Sequence, residues 1–333
     1  MESNIKIQEI RCSDISEDKP YFYHFYTYDK FLSESIKMQG ILTPLWLIEN
    51  NDMIIIDGYR RFCAACENHI TTIPAIIFNP DGLEKTFLRG LHVNLIGEKL
   101  SLLEKFRAYQ IAITNFSEEM IKMLSELLEL QRIPDIGKTA MEVLTSPGWF
   151  QEYLHKFDMP LKIIRKLNRY SKKEYQDWFE MAVKLNFKGR ETISLLEKIE
   201  DVLIRDKVDA ERLWHLLNID DILRSNWTSP QKVQHVKARV DEIRYPMMKK
   251  IEKRMSLYKS ELEKRFSGHM KIDWDKSLEK PEIMVNIQIS SASMADKIFE
   301  KIGNEDTLKA LKKIILVMDE LPAGDNRDSF ISH

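Results

Sequence analysis

Apolar and polar positions change rhythm along the chain. Ile5-Lys6-Ile7-Gln8-Glu9-Ile10 alternates, which predicts a strand. Asp29 to Gln39 carries Phe31, Leu32, Ile36 and Met38 at helical spacing, and Gly40 suits the stop that follows. Leu45–Ile48 and Met53–Ile56 predict two strands around the turn Glu49-Asn50-Asn51-Asp52. Arg60 to His69 predicts a helix, and Ile73 to Phe78 a further strand. Strands and helices alternate up to about residue 95, as in an α/β or α+β fold.

From about 98 to 245 the period is helical throughout. Runs are predicted near 101–115, 117–131, 148–157, 160–168, 171–186, 189–204, 209–216 and 229–244. Ser101 with Glu104 has capping-box spacing, and Ser117, Ser171, Asp209 and Ser229 are further candidate caps. After Tyr245-Pro246 the pattern predicts a long helix at 247–266. Strands at Met270–Ile272 and Ile283–Ile289 follow, then helices at 293–302 and 305–319. No internal repeat or low-complexity segment is evident.

The 333 residues suffice for two or three domains. A net charge of −2 gives no global field toward nucleic acid. Residues 155–190 hold ten Lys/Arg against four Asp/Glu, and 230–271 hold twelve against five. Solvated faces explain these runs slightly better than phosphate tracking does. Cys12, Cys63 and Cys66 are too few for a disulfide framework. The start lacks a signal-peptide pattern and no long apolar stretch occurs, so a cytoplasmic location and no membrane are expected.

Asp57-Gly58-Tyr59-Arg60-Arg61 joins a predicted strand to a predicted helix. Such a turn aims backbone N–H groups at one spot, at the positive end of the helix dipole. Arg60 and Arg61 add guanidinium forks that match phosphate oxygens. The ordinary alternative is two arginines paired with surface carboxylates.

The surroundings favour the anion site. Ser35-Ile36 through Gly40 to Thr43-Pro44 resembles the "SI…G…QP" segment of ParB proteins. Ile55-Ile56-Asp57-Gly58-Tyr59-Arg60-Arg61-Phe62-Cys63-Ala64-Ala65 resembles their "xxGERRxRAA" box. Thr72–Ile77 is similar to the "IPVxV" strand. Asn94-Leu95, Glu98, Leu100, Glu104 and Ala108-Tyr109 resemble "ENxQRxxLxxxEEAxAY". The resemblance to the ParB/sulfiredoxin superfamily covers about residues 5–110, and Arg190 to Leu196 extends it weakly to about 200.

It implies a domain that binds CTP or a related triphosphate. Gly40, Thr43, Gly58, Tyr59, Arg60, Arg61 and Asn94 would hold the nucleotide. Departures stand at Tyr59 for the box glutamate, at Val93 before Asn94, and at Ile96-Gly97 for Gln-Arg. Those family positions serve Mg²⁺ and hydrolysis, so both are left open here. The Asp57-Gly58 pair is closer to the "DGxxR" form of branches that include free-serine kinases. Sulfiredoxins carry their reactive cysteine at the Tyr59 position, so that chemistry is not expected.

Other features invite plainer readings. Cys63-Ala64-Ala65-Cys66 with His69 suits two buried thiols better than a redox or metal site, with Cys12 taken as remote. The aromatic run Tyr21 to Tyr28 suits structure, with one ring against a base as the functional alternative. No metal-binding motif is found. Glu118–Leu130 and Ile136–Leu144 resemble a degenerate helix-turn-helix, with the long joint Gln131–Asp135.

The expected fold is therefore α+β. A ParB/sulfiredoxin-like domain at 1–97 precedes an all-helical domain at 98–245, a small α/β module at 246–321 and a loose tail at 322–333. The expected function is a nucleotide-controlled switch of DNA binding or self-association, with DNA and a second copy of the chain as partners. The alternative is a nucleotide-dependent small-molecule kinase. Asp57 would then position a phosphate or the acceptor, with Glu34 or Asp29 as base. A third reading is a scaffold whose site has degenerated.

Overall fold

The computed structural model describes residues 6–50, 52–97, 99–275 and 282–320; the tail expected at 322–333 lies outside them. The chain forms two compact units, Met1–Lys184 with Lys188–Arg190, and Leu185–Phe187 with Glu191–His333. The division falls inside the stretch whose sequence reads as one helical domain.

In the first unit β1 (Ile7–Arg11), β2 (Leu45–Asn50), β3 (Asp52–Asp57) and β4 (Thr72–Phe78) form a mixed sheet in the order β1-β4-β2-β3. β4 runs antiparallel to β1 and parallel to β2, and β2 runs antiparallel to β3. Leu45, Leu47, Ile55, Ile73 and Ala75 point to one face, where Phe62 and Ala65 meet them in a buried core. Period-two alternation explains why these residues share that face.

α1 (Lys30–Gln39) and α2 (Tyr59–Glu67) pack on each other. Asp29 caps α1 by accepting from the Leu32 N–H at 3.1 Å, and Gly40 ends it with φ 72°. The sequence pattern predicts no helix between 79 and 97, yet α3 occupies Leu83–Gly97. Its apolar residues are spread around the helix, so no clean stripe marks it. α3 packs on β3, with Gly90 facing Trp46 and Asp57.

α4 (Leu102–Asn115) begins with the expected Ser101–Glu104 capping box. α5 (Glu118–Leu127), α6 (Ile136–Leu144) and α7 (Gly148–Lys156) pack around it. α8 (Leu161–Leu167) and α9 (Gln176–Leu185) follow, and Ser171 caps neither. Ser117 precedes α5 without capping it; its N–H and hydroxyl donate to Glu84 instead, at 2.8 and 2.9 Å.

The second unit holds α10 (Gly189–Asp206) from Glu191 onward, α11 (Ala210–Leu216), α12 (Ile219–Arg224) and α13 (Ser229–Arg244). Asp209 caps α11, but the cap of α13 is Thr228, in a capping box with Gln231, and not Ser229. The sequence pattern gave no sign of α12. α14 (Pro246–Arg265), the antiparallel pair β5 (Met270–Trp274) and β6 (Ile283–Ile287), α15 (Ala292–Gly303) and α16 (Glu305–Met318) complete the unit. Ile251, Met255 and Leu262 meet Ile272, Ile298 and Ile314 in its core. No helix among the described residues is long and apolar enough to cross a membrane.

Candidate functional site

β3 ends at Asp57, and the chain turns into α2 through Gly58. Gly58 has φ 99°, the left-handed region, and its carbonyl accepts the first helical bond from Phe62 N–H at 3.0 Å. A Cβ there would stand 3.0 Å from both the Arg61 guanidinium carbon and Leu45 Cγ, so the position requires glycine. The first-turn N–H groups of α2 have no acceptor within the helix and face an open cavity of about 240 Å³. Its walls come from the end of β3, the start of α2, Asp29 and Leu32 at the start of α1, Asn94 of α3, and the segment Lys19 to His24.

Both arginines are already engaged by carboxylates. Arg60 donates to Asp29 at 2.5 Å. Arg61 donates to Asp57 at 2.6 Å and to the carbonyls of Thr43 and Pro44 at 2.5 and 2.7 Å. Asp57 also accepts from Asn94 at 2.8 Å, and Asn94 donates to the Tyr23 hydroxyl at 2.6 Å. Thus one connected network joins the turn, the segment before β2, α3 and the aromatic run. Both arginines do pair with carboxylates, as in their ordinary reading, but these carboxylates lie in the cavity wall and not on open surface. With Lys19, the wall holds three fixed cations against two carboxylates.

Among the residues expected at the site, Gly58, Tyr59, Arg60, Arg61, Asn94 and Asp57 line one cavity, and so does Asp29. Gly40 and Thr43 do not line it. Gly40 closes α1 by donating to the Ile36 carbonyl at 2.8 Å, and Thr43 stands behind Arg61 as an acceptor. Glu34 is apart from the cavity, exposed, and pairs with Lys30 at 3.8 Å. Tyr59 contributes only part of its wall. Its ring is 8% exposed, packs on Phe22 at 5.0 Å and carries Lys19 Nζ at 4.8 Å on its face. Its hydroxyl donates to the Glu17 carbonyl at 3.3 Å, and burial pushes its pKa up to about 12. Val93 and Ile96, the departures on α3, are exposed.

Lys19 is a cavity residue that no motif indicates, whereas Phe22 and His24 belong to the aromatic run Tyr21–Tyr28 noted in the sequence. Their segment is irregular and is held from a distance by α4. Glu104 accepts from Phe25 N–H at 3.0 Å, and Arg107 donates to the His24 carbonyl at 2.9 Å. Glu104 is buried, and burial alone would raise its pKa. The His24 contact, the Ser101 and Phe25 N–H groups and the His155 charge outweigh burial and lower it to about 2. The Phe25 ring is stacked on His155 at 4.6 Å, with the Arg107 guanidinium 4.8 Å from its centre. The helix matching the "EEAxAY" segment therefore fixes one wall of the cavity.

The thiols differ from expectation. Cys63 is half-buried, Cys66 is exposed, and Cys12 is not remote. Cys12 and Cys66 line one groove with Arg11, Ser13, His69 and Ile70. No group of three or more His, Cys, Asp or Glu able to hold a metal occurs among the described residues.

Residues 2–90 match the ParB N-terminal domain family, so the resemblance read from the motifs holds over that stretch. A probable chromosome-partitioning protein ParB of Rickettsia prowazekii is 31% identical over 136 residues, 39% of this chain and 46% of that protein. An uncharacterised protein of Acidianus two-tailed virus is 28% identical over 195 residues, 55% of this chain and 58% of that protein. The chain thus spans about half the length of these relatives. Among solved structures, a C-terminally truncated chromosome-partitioning protein ParB of Caulobacter crescentus with CTP-γ-S matches at 19% identity and a TM-score of 0.23. That match covers 52% of this chain and 98% of the other. A Pnob8-like ParB-N domain matches at 16% identity and a TM-score of 0.33, covering 56% and 86%.

Proposed function

We propose that the first domain binds a nucleoside triphosphate through its phosphates at Gly58–Arg61, and that binding acts as a switch on the helices packed behind the cavity. The observation that carries this reading is the convergence of Gly58, Arg60, Arg61 and Asn94 on one cavity at a helix N-terminus. That geometry suits anions, and the family match over residues 2–90 favours CTP among them.

The cavity is smaller than the roughly 300–1,000 Å³ of ordinary ligand pockets. It would take a phosphate chain, with sugar and base at its open side against Phe22 and Tyr23. A triphosphate meets three cations and two carboxylates there, so Mg²⁺ carried on the phosphates would assist binding. Arg60 would exchange Asp29 for phosphate. Because Asp29 also caps α1, and because Glu104 and Arg107 hold the aromatic wall, occupancy would be felt in α1 and α4. DNA and a second copy of the chain are the partners on which such a switch would act.

The test is calorimetric titration with CTP, ATP, GTP and ADP, each with and without Mg²⁺, against the Arg60→Ala/Arg61→Ala double variant. Tight CTP binding that the variant loses is the expected result. Preference for an adenine nucleotide would instead favour a kinase, with Asp29 and Asp57 as its carboxylates. Binding by neither protein would overturn the nucleotide assignment and leave a scaffold.

A further inference from the structure

The geometry points to a reversible disulfide between Cys12 and Cys66 that staples the end of β1 to the C-terminal half of α2. The two thiols are far apart in sequence but stand at the two ends of a short run of hydrogen bonds. Cys12 N–H donates to the Thr71 carbonyl at 2.9 Å, and Cys12 Sγ donates to the Ile70 carbonyl at 3.1 Å. Ile70 N–H in turn donates to the Ala65 carbonyl at 3.0 Å, and Cys66 follows Ala65 on α2. Both cysteines then line the same groove, which Cys63 does not. Their ionisations are coupled: Cys66 feels the Cys12 thiol as its strongest neighbour after burial itself, whereas Cys63 hydrogen-bonds to Tyr59. Cys63 thus faces the core side of the helix, and Cys66 faces Cys12.

The exposure of the two differs in a way that orders the chemistry. Cys66 is exposed and Cys12 half-buried. With oxidised glutathione as oxidant, the Cys66 thiolate attacks one glutathione sulfur and expels a glutathione thiolate. The Cys12 thiolate then attacks Cys66 Sγ of the mixed disulfide and expels the second. Two protein thiols are oxidised, one glutathione disulfide is reduced to two glutathiones, and the two thiol protons pass to the expelled glutathione thiolates. Burial raises the pKa of both thiols, so the neutral-pH reaction is slow and accelerates as pH rises toward their ionisation. The inference rests on the fold of the first unit alone and is independent of any nucleotide.

The full chain is incubated with oxidised glutathione at mildly alkaline pH, quenched with an alkylating agent, and mapped by peptide mass spectrometry. The expected product is a Cys12–Cys66 cross-linked peptide with Cys63 alkylated, reversed by dithiothreitol. Cys63→Ser leaves that product in place, whereas Cys12→Ser and Cys66→Ser each abolish it. Circular dichroism of the serine variants separates lost folding from lost chemistry, and the map of the unmutated protein stands without them. A Cys63–Cys66 link, a persistent glutathione adduct on Cys66, or three alkylated thiols after prolonged oxidation would each overturn the assignment.

Discussion

The sheet domain of the first unit and the small module built on α14 are both α/β, yet they handle charge differently. In the sheet domain, Arg60, Arg61, Asp29 and Asp57 are each less than a third exposed, and their pairs share further donors and acceptors across four elements. In the module, pairs such as Arg265–Glu261 and Lys309–Glu305 sit one helical turn apart and are largely exposed. A helix surface supplies such local pairs at little benefit to stability. Arg60 reaches Asp29 across 31 positions, and Arg61–Asp57, four apart in sequence, is tied to Asn94 and to the Thr43 and Pro44 carbonyls. Charges networked in this way into a cavity wall need another reason, and anion recognition provides one.

Removing Arg61 should break this contrast most strongly. Arg61→Ala leaves Asp57 and two carbonyls without their shared donor, with a predicted cost of about 3 kcal/mol in denaturant unfolding of the first unit. A cost near that of a surface pair would show that water replaces the guanidinium freely. Glu104 comes next. Its pKa of about 2 lies below the ordinary carboxyl value, so its stabilisation is complete above the unfolded pKa and is lost as pH falls through about 2. Melting between pH 5 and pH 2 should show this loss in the native protein, on the order of 3 kcal/mol. Glu104→Gln should remove that acid-sensitive part; an unchanged acid transition would place its cause elsewhere.

Gly58→Ala follows, at about 1–3 kcal/mol, from a left-handed backbone and a clash with Leu45 and Arg61. Thermal denaturation measures it, and a neutral result would mean that the turn relaxes. Asp57→Asn should sharpen the comparison in the opposite direction, tightening phosphate-ligand binding by about 5-fold, since roughly 1 kcal/mol of pairing no longer competes. Weaker binding would instead give Asp57 a positive part in holding the ligand. Last, Arg265→Ala in the module should change unfolding by no more than about 0.5 kcal/mol.

The turn from Asp57 to Arg61 was legible because strand, glycine and helix start are neighbours in sequence, and the family match extends over it. The fold class was legible for the same reason: each element carries its own period. Features that depend on distant partners carry no local signal. Lys19 reaches the cavity because Glu104 and Arg107, 79 and 83 positions from their partners Phe25 and His24, fix the segment beside it. Cys12 meets Cys66 only through the pairing of β1 with β4. α3 carries no clear signal because its apolar residues form no stripe, and Thr228 is not distinguished by type from the adjacent Ser229 as a cap.

Asp29 serves two masters, holding the Leu32 amide with one oxygen and Arg60 with the other. The first turn of α1 is therefore a reporter of whatever recruits Arg60. In hydrogen–deuterium exchange, the Leu32 amide would change its rate when the cavity fills, and that clock needs neither label nor mutation.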